Sequence, residues 1–106
     1  MYTIVETPTF MRCAAEVWSE TELTEFKLWL AGNPLLGDVM PGAGGLRKVR
    51  WSRAGMGKRG GARVVYFNQL TDGTIVLLMV YVKAKFDNLP AEFLLRLKQE
   101  FENAQI

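Results

Sequence analysis

Histidine is absent from this sequence. That excludes Ser-His-Asp triads, Cys-His pairs and the common histidine-bearing zinc sites. Cysteine is nearly absent: Cys13 stands alone and cannot form an internal disulfide. A reducing compartment, the cytoplasm, is the simplest setting for such a chain. Long apolar runs are missing as well. The longest covers residues 75–82, far short of the roughly 20 residues that span a bilayer, so no membrane partner is expected. No basic segment leads into an apolar stretch at the N-terminus, and no secretory signal is expected. Carboxylates are scarce in the middle of the chain, where Asp72 is the sole acid between residues 39 and 85. Metal-assisted phosphoryl chemistry needs several converging carboxylates, so neither a metal site nor a metal nuclease is expected. The glycine-rich stretches 42–45 and 55–61 lack the Lys-Ser/Thr ending of a P-loop, and no cofactor is implied.

What is present is cationic. Net charge is only +2, but residues 39–85 hold Arg47, Lys48, Arg50, Arg53, Lys58, Arg59, Arg63, Lys83 and Lys85 against that one aspartate. The segments on either side are net acidic. A basic middle between acidic ends suggests one face built for a polyanion. The chain has 106 residues, 49% of them hydrophobic and 23% charged, which fits one globular domain over 1–106 and excludes a disordered or collagen-like chain.

The residue pattern predicts the elements. Tyr2-Thr3-Ile4-Val5 reads as a first strand. Thr7 can cap a helix that begins at Pro8 and repeats Phe10, Cys13, Ala14 and Val17 at helical spacing. Ser19-x-x-Glu22 is a capping-box pattern that opens a second helix with Leu23, Phe26 and Leu30 inward. Gly32-Asn33-Pro34 ends it, and the two helices form a hairpin. A loop follows from Gly37 to Gly45. Leu46–Trp51 alternates as a strand, with Leu46, Lys48 and Arg50 on one face and Arg47, Val49 and Trp51 on the other. A basic glycine-rich turn holds Lys58 and Arg59. Arg63–Gln69 is the next strand, Thr71-Asp72-Gly73 signals a hairpin, and Ile75–Val82 reads as a central strand covered on both sides. Asn88-Leu89-Pro90 opens a last helix with a stripe of Phe93, Leu94, Leu97 and Phe101. The predicted class is α+β: an antiparallel sheet packed with an N-terminal helical hairpin and a C-terminal helix.

If these strands pair, Lys48, Arg50, Arg63 and Lys83 converge at one edge of the sheet. Such a cluster binds phosphate through charge-assisted hydrogen bonds and stabilises a pentavalent phosphorane. RNA brings its own nucleophile, the 2′-hydroxyl. With no histidine, the general base or acid would be a lysine of lowered pKa or a tyrosine, Tyr66 or Tyr81, although both tyrosines also suit strand packing. Of the three tryptophans, Trp18 and Trp29 belong to the helices and suit packing; Trp51 follows the basic strand and can contact RNA or ribosome.

The run GDVMPGAGGLRKVRW over residues 37–51, then GKRGGARVVY over 57–66 and YVK over 81–83, resembles the HigB branch of the RelE-like toxins of type II toxin–antitoxin systems. The resemblance covers nearly the whole chain in the same order of elements. It implies a compact RelE-like fold and a metal-independent mRNA interferase that cuts mRNA in the ribosomal A site by 2′-hydroxyl attack. It also implies a cognate antitoxin, usually of helix-turn-helix type, that neutralises the toxin and carries it indirectly to operator DNA. By position it assigns catalysis to Lys48, Arg50, Arg63 and Lys83. RNA binding falls to Arg47, Lys58, Arg59, Trp51, Tyr66 and Lys85. One departure is Ala84-Lys85, where relatives often carry Asn-Glu-like residues; Lys85 either strengthens substrate binding, replaces a lost role or is simply solvated. Two alternatives remain beside the nuclease: a module that occludes RNA or ribosome without cutting, and an operon co-repressor acting through the antitoxin.

Overall fold

The computed structural model describes residues 2–51, 61–82 and 89–104, the side chain of Leu70 aside. Strand β1 is Thr3–Glu6, helix α1 is Pro8–Val17 and helix α2 is Glu20–Ala31. Strand β2 is Asp38–Val39, β3 is Arg47–Trp51, β4 is Ala62–Gln69 and β5 is Thr74–Val82. Helix α3 is Ala91–Ala104.

Both N-terminal helices start where the capping residues stand. The Thr7 hydroxyl accepts from the Phe10 amide at 3.2 Å and donates to the Leu77 carbonyl at 2.8 Å, so one side chain caps α1 and ties it to β5. At α2 the capping box is complete: Ser19 Oγ accepts from the Glu22 amide at 3.2 Å, and Glu22 Oε1 accepts from the Ser19 amide at 3.0 Å. Caps of this kind contribute about 1 kcal/mol each. Lys27 of α2 reaches Glu6 of β1 at 3.1 Å and closes the hairpin against the strand.

The five strands run in the order β1-β5-β4-β3-β2. Two features differ from the sequence expectation. The sheet is not wholly antiparallel, because β1 pairs parallel to β5, with Thr3 opposite Thr74 and Glu6 opposite Leu77. The helical hairpin delivers β2 antiparallel to β1, and the three antiparallel pairings that follow, β2 with β3, β3 with β4 and β4 with β5, leave β5 running in the same direction as β1. The segment read as a loop from Gly37 to Gly45 also holds β2, whose Asp38 and Val39 pair with Lys48 and Arg47. Two residues are too short to show an alternation in sequence.

The sheet has a core on each side. Facing the helical hairpin are Phe10, Trp18, Phe26, Leu30, Val49, Val64, Tyr66, Leu77 and Val80, with Trp51 packed against them. Facing α3 are Leu46, Val65, Phe67, Val76, Leu78, Met79, Tyr81 and Leu94. β5 lies between β1 and β4 and is buried from Ile75 to Tyr81, so it is covered on both sides as its continuous apolar run predicts. In α3 the buried residue is Leu94, flanked by Leu95, Leu97 and Phe101, whereas Phe93 turns outward. Lys98 fastens α3 to the loop before β3 through a 2.8 Å bond to the Gly44 carbonyl, and its ammonium sits 5.2 Å from the Phe67 ring centre.

A bulge in β5 decides which side chains share a face. Val65 pairs with Met79, but the next residue, Tyr66, pairs with Leu77, so Leu78 has no opposite number on β4. One extra residue exchanges the two faces of a strand beyond it. Leu78 and Met79 therefore both lie on the α3 side, and Tyr81 follows them there.

Candidate nucleic-acid interface

Register places the basic residues. Arg50 of β3 stands opposite Arg63 of β4, and Arg63 stands opposite Tyr81 of β5. Lys48, two residues before Arg50, heads the neighbouring row and stands opposite Val65, which faces Met79. Directly opposed residues project from the same face, so Lys48, Arg50, Arg63 and Tyr81 share the α3 side of the sheet. Opposed Cβ atoms lie roughly 5 Å apart, and residues two apart along a strand are separated by about 7 Å. These spacings place three cationic stems within reach of one or two phosphates. Arg50 is exposed, and Lys48 and Arg63 are half-buried.

The sheet thus brings together three of the four residues expected to carry catalysis. The fourth, Lys83, lies outside the described residues, as do Lys58, Arg59 and Lys85.

Three residues expected at the RNA surface are placed elsewhere. Arg47 points to the opposite side from Lys48, as strand alternation demands. Its guanidinium donates to the Gly37 carbonyl at 2.6 Å and to the Leu35 carbonyl at 3.4 Å. Tyr66 has no exposed surface. Its hydroxyl donates to the Pro34 carbonyl and accepts from the Gly37 amide, both at 2.8 Å. Asn68 also donates to the Pro34 carbonyl, at 2.9 Å. Together Arg47, Tyr66 and Asn68 hold the turn that leads from α2 into β2. Gly37 has to be glycine there, because a Cβ would come within 2.8 Å of the Tyr66 ring. Trp51 packs edge-on to Trp18 and Phe26 at 5.5 and 5.7 Å between centroids, on the helical side of the sheet. The basic strand is therefore two-sided. One side meets solvent with Lys48 and Arg50, and the other builds the core with Arg47, Val49 and Trp51.

Burial raises the pKa of the Tyr66 phenol; its hydrogen bond from Gly37 and the nearby Arg47 charge oppose the rise. Burial likewise raises that of Tyr81, opposed by the positive charge of Arg63. Both phenols are neutral at physiological pH. Among the described residues, no group of three histidine, cysteine or acidic side chains is arranged to hold a metal ion. Nor is any helix among them long and apolar enough to cross a membrane. The basic face is formed by Lys48, Arg50 and Arg63 on β3 and β4. A cavity of 470 Å³ lies apart from it, between the start of α1 and the end of α3, lined by Val5, Pro8, Arg12, Leu97 and Phe101. A cationic sheet face of this kind suits a phosphate polymer.

This architecture is that of the RelE toxins. The RelBE2 toxin–antitoxin complex of Mycobacterium tuberculosis superposes with a TM-score of 0.59 at 20% identity, covering 76% of this chain and 96% of that one. The isolated RelE toxin of E. coli gives 0.59 at 13% identity over 77% and 84% of the two chains. The intact E. coli RelBE toxin–antitoxin complex gives 0.57 at 13% identity over 76% and 94%. No family model matches the sequence. The protein therefore has a RelE-like α+β fold, carrying a row of cations on one face of its sheet.

Proposed function

We propose that residues 1–106 form a single toxin domain of a type II toxin–antitoxin system, in the HigB branch of the RelE-like toxins, and that it is a ribosome-dependent mRNA endonuclease. The observation that carries this reading is the clustering of Lys48, Arg50 and Arg63 on one face of a RelE-like sheet. Arginine offers a fork of N–H donors matched to phosphate oxygens, and lysine adds a point charge beside it. In the proposed reaction the ribose 2′-oxygen attacks the adjacent phosphorus as its proton leaves to a base. The phosphorane takes up negative charge against Arg50, Arg63 and Lys48. The bond to the 5′-oxygen breaks, that oxygen gains a proton, and the products are a 2′,3′-cyclic phosphate and a 5′-hydroxyl. Lys83 joins this set on sequence grounds. No metal or other cofactor is required, because the cations supply the charge. A message held by the ribosome would arrive already ordered, which lessens the positioning that the protein itself must do.

The partners that follow are mRNA and ribosome in the cytoplasm, a helix-turn-helix antitoxin, and operator DNA reached through that antitoxin. A second reading has one observation in its favour. Tyr81, a tyrosine on the basic face, is only 3% exposed, so a module that blocks RNA without cutting it fits the described residues too. Primer extension on a message under translation in a cell-free system separates the two. Discrete in-frame cuts that vanish when initiation is blocked are expected. Arrested translation with intact message would replace the nuclease by occlusion, and normal translation would leave only a co-repressor role.

A further inference from the structure

We propose that Tyr81 is the positioning residue for Arg63; the inference rests on the nuclease reading just given. Arg63 has an awkward place in the sheet. On one side stands Arg50, directly opposite across β3 and β4. Two guanidinium groups on opposed stems repel, and like charges so placed are destabilising. Left alone, Arg63 would swing away from Arg50 and lose any fixed aim at a phosphate. On its other side stands Tyr81, also directly opposite, across β4 and β5. Tyr81 is 3% exposed and belongs to the apolar cluster under α3 with Val65, Met79 and Leu94. Its ring is held by that packing, and its place opposite Arg63 on the same face sets it beside the half-buried Arg63 stem. A methylene stem lying along a fixed ring has fewer rotamers to visit, so its head group is ordered before substrate arrives.

The bulge makes this neighbourhood. Without the extra residue at Leu78, the alternation of β5 would turn Tyr81 toward the helical hairpin and put another side chain beside Arg63. The bulge is anchored at the preceding residue, where the amide and hydroxyl of Thr7 both donate to the Leu77 carbonyl, at 3.2 and 2.8 Å. Tyr81 itself is too deeply buried to stack on a base, so its contribution passes through Arg63. The Arg63 charge opposes the rise in the Tyr81 pKa, as expected of neighbours.

The test uses the full chain with two readouts. The first is steady-state cleavage of translated message by wild type, Tyr81→Phe and Tyr81→Leu. The ring carries the role, so Tyr81→Leu should lose about tenfold or more in kcat with KM within about twofold, and Tyr81→Phe, which restores a ring, should recover most of that loss. The second needs no nuclease activity: NMR titration of ring-labelled tyrosine in wild type and Arg63→Gln, where loss of the cation should move the Tyr81 titration to higher pH. Wild-type kcat in folded Tyr81→Leu, or a Tyr81 titration indifferent to Arg63, overturns the proposal. A wild-type chain that never cleaves defeats the nuclease reading instead, and the titration still decides whether the two side chains are coupled. Should Tyr81→Leu fail to fold, the titration decides it.

Discussion

Arg47 and Lys48 are adjacent in sequence and serve opposite sides of one strand. Arg47 donates to the Gly37 and Leu35 carbonyls on the side of the helical hairpin, and Lys48 stands with Arg50 and Arg63 on the other. The two substitutions should therefore separate cleanly. Arg47→Met should lower the free energy of unfolding by about 1 kcal/mol through lost hydrogen bonds. Lys48→Met should leave the urea midpoint nearly unchanged but weaken RNA binding and reduce the slope of log affinity against log salt by about one. Equal loss of stability in both would refute the two-sided assignment.

Arg50 should be a residue whose removal helps the fold. It faces Arg63 across the ladder, with no carboxylate in its row. Arg50→Glu converts a repulsive cross-strand pair into an attractive one and should raise stability by roughly 0.2–1 kcal/mol. RNA binding and cleavage should both fall. Stability gained as function is lost is the mark of a site kept under electrostatic strain for its ligand. Thermal melts in parallel with a binding assay decide it.

Tyr66→Phe should cost about 1–3 kcal/mol, because the Gly37 amide and one Pro34 interaction lose their partner in a buried place. Cleavage by the folded fraction should persist, since Tyr66 lies on the far side of the sheet from Arg63.

Stability should decline in alkali. Tyr66 and Tyr81 both have pKa values raised by burial, so the folded protein keeps these protons more tightly than the unfolded chain. Their stabilisation is complete below the ordinary tyrosine value of about 10 and is lost as pH rises through the folded-state values. Urea midpoints should fall above about pH 10, and less steeply in Tyr66→Phe. A flat midpoint through that range would contradict the burial of these phenols.

Gly44→Ala tests how α3 is fastened. Gly44 has φ +59°, and an added Cβ would lie 3.0 Å from Cδ2 of Leu95. A left-handed conformation costs an L-residue about 1–2 kcal/mol, and the contact adds to it. The melting temperature should drop by about 5 °C or more.

The parts legible in sequence were those written in local chemistry. Thr7, Pro8, Ser19 and Glu22 announce two helices through hydrogen bonds within one turn, and the apolar run 75–82 announces a strand buried on both faces. Lys48, Arg50 and Arg63 could be grouped because period-two alternation and an antiparallel return suffice to bring them together. The rest depended on distant pairing. Nothing near Tyr66 says that Pro34 and Gly37 will engage its hydroxyl, and nothing near Trp51 reveals Trp18 and Phe26 behind it. The parallel placement of β1 is invisible in Thr3–Glu6 alone. The bulge at Leu78 lies within an unbroken apolar stretch, so alternation gives no sign that Tyr81 will join the basic face.

The pairing of β1 with β5 sets a timetable for synthesis. Thr7 meets the Leu77 carbonyl across 70 residues of chain, and loop-closure entropy opposes that contact until the other strands are in place. A nascent chain that has emerged only as far as β4 already holds Lys48, Arg50 and Arg63, but Arg63 still lacks its neighbour on β5. It also leaves its first strand without a partner. The sheet is completed only when β5 is translated, so β1 waits unpaired while β2, β3 and β4 are made.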